Sequence, residues 1–524
     1  MTKFGFKFNL ILANKKIGAA LNFRDLLEEL ALKHKNRTAV LCDGMSLTYA
    51  ELLHKSKEFA SGLRNSGLRT GNKVGLLMYN RTEFVIAFFG TILAGGIVVP
   101  INPFFIPEEV EYILRHSEAH FFVSSKEFSE YIDYVDKYID DIQLIVAADY
   151  KKSIDKIKKF NEIYYKRDSY FPEVPENEPC AIMYSSGTEG ALKGALFSSK
   201  NLISNAISTQ QILNINKSDK VVTFLPLFHP FSITVGLLTV LESGGTIILV
   251  DNKQPFKKLV KTVFVKRVTI FIGIPQVFNL LSNIKTSRIL KFINPVRFCI
   301  SGGSPLPIGV MEEFETRYKI PIIEGYGLLE AGPVVSLNPT DKRERKPGSV
   351  GKIIPSVQAR ILSMNKKQVK AGEPGEIAIK GESVMLGYFK DQGATKNAYH
   401  KSWFLTGDIG KFDDDGYLYI LDRKSDMISI NGKILFARNL EEILHEHEDI
   451  EECAVVGLGN KQNDKKPVAI IVLKQGATLN SSTIISFLNE KNAPYLPEQI
   501  EFWEELPRSS TGKILKREII KTLS

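Results

Sequence analysis

Residues 184–195 bring together Ser185, Ser186 and Thr188, the glycines Gly187, Gly190 and Gly194, and Lys193, with Glu189 in their midst. Hydroxyls, backbone N–H groups and a lysine are the groups that hold a polyphosphate, and glycines let the backbone come close to it. The pattern GxxxxGK[ST] is absent, so this is not a Walker loop. Four further places offer complementary chemistry. Gly302, Gly303 and Ser304 follow an apolar run and suit the close approach of a flat ligand. Glu324, Gly325, Tyr326 and Gly327 set a ring between two glycines, where it can lie on a base, and Glu330 follows as a hard oxygen donor suited to phosphate-bound Mg²⁺. Asp408, just after Gly407, suits the two hydroxyls of a ribose. Lys513 follows a Thr-Gly turn and leads a basic stretch, from which a lysine can reach a neighbouring cleft as a point charge. Taken singly, each has a plainer reading: a surface Ser/Gly loop, a βα turn, a strand end.

The elements that must position these residues are legible. Apolar strand-like runs at 38–43, 73–79, 96–101, 120–125 and 143–149 alternate with helical patterns, and a second round follows at 220–227, 245–251, 269–275 and 296–303. Such alternation predicts α/β architecture with largely parallel sheets. In 49–67, Leu52, Leu53, Phe59, Ala60 and Leu63 share one helical face, with Gly67 as the stop. The uncharged stretch 84–100 is short for a membrane span, and its Ala-Gly-Gly predicts a buried helix (83–94) turning into a buried strand (96–99). Residues 345–422 alternate with period two and predict a small β-rich subdomain. Beyond Asp422 comes a compact α/β unit with a helix at 439–447. The fold expected is therefore α/β: a large N-terminal domain (1–422) of two α/β subdomains plus a small β-rich one, then a smaller C-terminal α/β domain (423–524). The charged run 151–168, with Ile154, Ile157 and Ile163 at near-helical spacing, predicts a solvated helix with one buried face. It also suits a membrane-surface helix, which leaves peripheral membrane contact open.

Composition narrows the classes. The chain has 524 residues, 44% hydrophobic and 24% charged, with a formal charge of +9. That is globular, and the mild excess of cations suits an acidic small molecule, an acidic carrier protein, an anionic membrane surface or simply a basic soluble surface. No arginine-rich run interleaved with aromatics points to nucleic acid. Cys42, Cys180, Cys299 and Cys453 have no metal-ligand spacing and read as small core residues in a reducing compartment, hence a cytoplasmic expectation. The N-terminal apolar run is too short for a signal sequence.

The order of these motifs, phosphate loop, 301–305, 324–330, 403–408, 423–426 and 510–513, resembles the adenylate-forming superfamily of acyl-CoA synthetases, adenylation domains and luciferases, from about Ala20 onward. The resemblance implies ATP- and Mg²⁺-dependent joining of a carboxylate to AMP, then transfer to the thiol of coenzyme A or to the phosphopantetheine of an acyl carrier protein. It implies that Ser185–Gly190 and Lys193 hold the β- and γ-phosphates, and that Gly302, Gly303 and Ser304 line the adenine with Tyr326 stacked on it. Glu330 and Thr188 then serve Mg²⁺, Asp408 the ribose, Arg423 the ribose or phosphate, and Lys513 the α-phosphate. A mobile C-terminal domain hinged near 423–426 is implied, with Gly432 beside a pantetheine tunnel and His229 at an acyl channel that includes Phe231, Ser232 and Thr234.

Three positions depart from the family pattern. Leu329 stands where a Thr hydroxyl is usual, a loss worth about 1–2 kcal/mol if nothing replaces it. Glu189 places a carboxylate beside polyphosphate, which repels it unless turned away or toward Mg²⁺. Ser425 occupies the hinge position, where Asp or Lys is common. Leu329 and Glu189 keep a catalytically impaired acyl- or nucleotide-binding homologue in view. The absence of Asp from 229–236 disfavours an amino acid, and the form of 324–339 favours a medium- or long-chain fatty acid over an aryl acid.

Overall fold

The structure is a computed structural model describing residues 21–151, 156–165, 171–186, 192–251, 256–283, 295–430, 433–459, 465–508 and 514–524. Two large sheets carry the N-terminal domain. The first runs Lys352–Ile353, Val334–Leu337, Ile322–Gly327, Phe298–Ser301, Ile270–Gly273, Lys220–Thr223, Thr246–Leu249, Thr38–Cys42, Met45–Thr48. Its six central strands, from Ile322–Gly327 to Thr38–Cys42, are parallel and its margins antiparallel. The second runs Gly387–Tyr388, Leu192–Ser198, Pro179–Ser186, Ile97–Pro100, Lys73–Leu76, Ala119–Ser125, Leu144–Ala148, Ile157–Lys159. Strands buried on both faces account for the unbroken apolar runs: Ile97–Pro100 is buried at every position.

Helix Tyr49–Asn65 lies where its pattern places it. Thr48 Oγ1 accepts from the Glu51 N–H at 3.2 Å, and Glu51 Oε2 accepts from the Thr48 N–H at 2.8 Å, a reciprocal cap. Leu52, Phe59, Ala60 and Leu63 are fully buried. Thr82–Leu93 is the buried helix expected from the uncharged stretch, and no described helix is long and apolar enough to cross a membrane.

The run 151–168 is not a helix where it is described. Ile157–Lys159 is a strand paired in parallel with Leu144–Ala148, and the backbone of Ile163 then lies against Gly62, where a Cβ would meet Ile163 O at 1.7 Å. Ile157 and Ile163 are buried, as their spacing suggests, but the open edge of a parallel sheet supplies partners that a short solvated helix lacks. Residues 152–155, Ile154 among them, and 166–168 lie outside the described residues.

The β-rich subdomain is an antiparallel sheet built on Val357–Leu362, Gly375–Gly381, Trp403–Phe412 and Leu418–Arg423. The C-terminal unit packs Ala437–Leu444, Ser481–Glu490 and Lys516–Leu523 around the sheet of Ile450–Leu458, Lys466–Leu473 and Gln499–Phe502, with a core of its own. All four cysteines are free and buried.

Candidate active site

The expected phosphate loop joins two antiparallel strands. Tyr184 pairs with Gly194, Ser185 with Lys193 and Ser186 with Leu192, so the chain reverses between them. Gly187, Thr188, Glu189 and Gly190 lie outside the described residues, and Ser185 and Ser186 are described as backbone only. The Lys193 Nζ stands 5.7 Å from the centre of the Tyr388 ring.

Across the cleft, parallel pairing sets the ends of Ile270–Gly273, Phe298–Ser301 and Ile322–Gly327 side by side: Gly273 faces Ser301, and Ser301 faces Glu324. Ligands of open α/β sheets gather at such carboxyl ends. Gly302 follows directly, and its N–H donates to Gly273 O at 3.3 Å. A Cβ on Gly302 would sit 2.9 Å from the Phe231 ring, so this glycine admits the aromatic wall. Gly303 needs its glycine for conformation, with φ +88°. Ser304 is half-buried beside it. The buried Ser301 Oγ has no hydrogen-bond partner within the described protein, so this wall retains a polar group to offer.

Tyr326, Asp408 and Arg423 converge. The Tyr326 hydroxyl donates to Asp408 Oδ2 at 2.6 Å, and Arg423 Nε lies 3.2 Å from Asp408 Oδ1. Antiparallel register sets Asp408 opposite Arg423. Asp408 is only 4% exposed, so its carboxylate relies on these partners. Burial and the Asp408 charge push the Tyr326 phenol well above its usual range, so it stays a donor. Gly325 and Gly327 also have a steric reason that does not depend on a ligand. A Cβ on Gly325 would meet Leu337 Cδ2 at 2.5 Å, and one on Gly327 would meet Pro333 O at 2.2 Å, because the antiparallel strand Val334–Leu337 occupies that space.

Glu324 is buried, and desolvation lifts its carboxyl to about 7 against the pull of Arg438 and Arg345. Arg438, whose charge opposes that rise, belongs to the C-terminal unit. Glu330 sits on the turn Leu329–Ala331 and accepts the Tyr388 hydroxyl at Oε1, 2.8 Å away. Tyr388 is the residue sequence reasoning missed: a tyrosine after a glycine on a two-residue strand carries no periodic signal. Leu329 is half-buried against the main core, an apolar contact where a hydroxyl was expected.

His229 caps the entry to the irregular helix Ser232–Leu238, where Nδ1 accepts from the Phe231 N–H at 3.3 Å. Burial holds its pKa down to about 4, so the ring is neutral. At the junction, the Lys424 N–H donates to Gly407 O at 2.8 Å and Lys424 Nζ pairs with Glu376 at 3.1 Å. Ser425 Oγ donates to Asp426 Oδ1 at 2.8 Å. Asp422 Oδ2 accepts the Ala437 N–H at 2.7 Å, tying the β-rich subdomain to the first helix beyond the junction. Gly432 and Lys513 lie outside the described residues.

A single carboxylate with one oxygen already hydrogen-bonded suits Mg²⁺ taken up with substrate phosphates, since that ion keeps waters and needs few protein ligands. Among the described residues no cluster of three or more acidic, histidine or cysteine side chains offers a self-sufficient metal cage. The residues present therefore fit a nucleotide-borne Mg²⁺.

Comparison with known proteins agrees along nearly the whole length. Residues 27–389 match the AMP-binding enzyme family and residues 439–513 its C-terminal domain. A long-chain-fatty-acid–CoA ligase of Yersinia pestis is 32% identical over 94% of this chain and 93% of its own. A 2-succinylbenzoate–CoA ligase of Bacillus licheniformis is 29% identical over 94% and 98%. Among solved structures, the anthranilate CoA ligase AuaEII in complex with anthranoyl-AMP superposes with a TM-score of 0.87 at 26% identity, covering 96% of this chain and 97% of that one. ATP-bound MatB from Rhodopseudomonas palustris gives 0.86 at 25% identity, over 95% and 98%.

Proposed function

Since this chain belongs to the AMP-binding enzyme family, we propose that it activates an apolar carboxylic acid as its acyl-adenylate and passes the acyl group to coenzyme A. The chain is an AMP-forming acid–thiol ligase. In the first half-reaction a carboxylate oxygen attacks the α-phosphorus of ATP and pyrophosphate leaves. In the second, the thiol attacks the acyl carbon and AMP leaves. A carboxylate is a poor electrophile, and adenylation supplies its leaving group; the protein's task is positioning and charge stabilisation.

The single observation that carries the nucleotide reading is the Tyr326–Asp408–Arg423 cluster. It presents a buried, oriented carboxylate beside an aromatic ring at the carboxyl ends of the parallel strands. In this reading Asp408 takes the ribose hydroxyls, and Gly302, Gly303 and Ser304 line the adenine with Tyr326. Ser185–Gly190 and Lys193 hold the β- and γ-phosphates. Glu330 and Thr188 would hold Mg²⁺, which supplies charge neutralisation at the phosphates. Lys513 meets the α-phosphate, Gly432 borders the pantetheine path, and the domains divide at 422/423 with the hinge at 423–426.

For the acid, Phe231, whose ring lies against Gly302, and the neutral His229, whose Nδ1 accepts the Phe231 N–H, give an uncharged wall. That suits an apolar body and supplies no counter-ion for a second carboxylate. An aryl acid is the better supported reading, by the close superposition on the anthranilate ligase and by the aromatic Phe231 at the wall. A medium- or long-chain fatty acid is the other, supported by the likeness to the fatty-acid ligases. An acyl carrier protein is the alternative thiol. Incubation with ATP, Mg²⁺, a panel of aliphatic and aryl acids and either coenzyme A or a phosphopantetheinylated acyl carrier protein, read as thioester by mass, decides among these. Thioester from no member of the panel would sink the ligase reading. Lys513→Ala should suppress adenylation while sparing thiol transfer from supplied acyl-AMP; equal losses would count against its role.

A further inference from the structure

The segment 385–389 is stitched to both walls of the nucleotide cleft. The Met385 N–H donates to Glu330 O at 2.8 Å, the Leu386 N–H to Leu196 O at 2.9 Å and the Phe389 N–H to Gly194 O at 2.7 Å. Gly387 and Tyr388 pair antiparallel with Leu196 and Ala195, on the strand that leaves the phosphate loop. The Tyr388 N–H is itself held by Thr395 Oγ1 at 2.9 Å. With its backbone fixed on both sides, the Tyr388 side chain joins two groups from different parts of the chain. Its hydroxyl donates to Glu330 Oε1, and its ring faces the Lys193 ammonium at 5.7 Å.

We propose that Tyr388 is a positioning residue for the divalent cation and the polyphosphate: by engaging Oε1 of Glu330 it fixes the carboxylate so that the other oxygen serves the cation, while its ring steadies Lys193. This rests on the reading of Glu330 as the Mg²⁺ ligand. A carboxylate lacking that hydrogen bond turns about its last torsion and presents either oxygen, a freedom that binding must then remove. The hydroxyl and the ring have separable effects, because one acts on the cation and the other on the lysine.

The test is titration calorimetry of ATP into the full chain, with Mg²⁺ and with EDTA, for wild type and three variants. Tyr388→Phe keeps the ring and the strand pairing. It should leave Mg²⁺-free ATP affinity within about twofold of wild type while the gain conferred by Mg²⁺ shrinks about tenfold, the loss of one charge-assisted hydrogen bond. Its Mg²⁺ activation constant for pyrophosphate release should rise in step, with the acid's KM unchanged. Tyr388→Leu should also weaken Mg²⁺-free ATP binding. Glu330→Gln separates the premises. Loss of the Mg²⁺ gain in Glu330→Gln but not in Tyr388→Phe overturns the role of Tyr388 and keeps that of Glu330. A full gain in Glu330→Gln overturns the Glu330 reading and the proposal with it. A lowered melting temperature in Tyr388→Phe with an unchanged Mg²⁺ gain means that Tyr388 is structural only.

Discussion

Replacing Tyr326 by Phe deletes one hydroxyl and keeps the ring, which isolates the bond to Asp408. Asp408 is 4% exposed and its carboxylate has two partners among the described residues, the Tyr326 hydroxyl at 2.6 Å and Arg423 Nε at 3.2 Å. Arg423 is itself 39% exposed, so its contribution is softened by solvent. The tyrosine bond is therefore the stronger constraint on where Asp408 points. A hydrogen bond to a charged group is worth about 1.5–3 kcal/mol. A carboxylate has about four lone-pair sites, so Tyr326 and a ribose can be accommodated together. We take the lower end because Arg423 remains, which corresponds to about a tenfold rise in KM for ATP. Discrimination against 2′-deoxy-ATP should fall by a similar factor, while KM for the acid stays put. The assay is pyrophosphate release with ATP and 2′-deoxy-ATP, wild type against Tyr326→Phe. An unchanged KM for ATP together with an undiminished preference for the ribonucleotide would refute the reasoning that Tyr326 orients Asp408.

Other consequences concern stability and pH. Glu324 has a folded-state carboxyl raised from 4.5 to about 7, so the folded protein keeps a proton that the unfolded chain loses; stability falls as pH rises through that window, by about 3 kcal/mol in all. Glu324→Gln cannot ionise, so its melting temperature relative to wild type should rise from pH 5 to pH 8; a constant difference would show that Glu324 does not titrate there. Gly327→Ala puts a Cβ 2.2 Å from a backbone oxygen and should cost about 1–3 kcal/mol, read as a lower melting temperature. A neutral wild-type melting temperature for that variant would mean that the strand Val334–Leu337 does not need the glycine. With its pKa near 4, His229 contributes no titration between pH 5.5 and 8, so His229→Gln should lower kcat/KM without changing the shape of its pH profile in that range. Loss of an inflection near 6.5 in the variant would contradict this.

The sequence pattern reveals most of the parallel sheet framework because buried strands need unbroken apolar runs, and those runs survive any reading of the rest. It also reveals Tyr326, Asp408 and Arg423 as separate residues, though only pairing brings Asp408 opposite Arg423. The helix expected at 151–168 shows the limit of periodicity. Ile157 and Ile163 are buried as their spacing implies, yet burial alone does not distinguish a helix from an edge strand followed by a turn. The glycines around Tyr326 show another limit, since a glycine required by a neighbouring strand looks the same in sequence as one required by a ligand. Tyr388 was invisible because its function depends on Glu330 and Lys193, both distant in the chain.

Every role assigned above depends on this protein forming an acyl-adenylate. Acid-dependent exchange of labelled pyrophosphate into ATP, with Mg²⁺ present and no thiol, measures that step alone. Exchange should require an apolar carboxylic acid and fall in Tyr326→Phe and Glu330→Gln. ATP binding without exchange, across aliphatic and aryl acids alike, would contradict it.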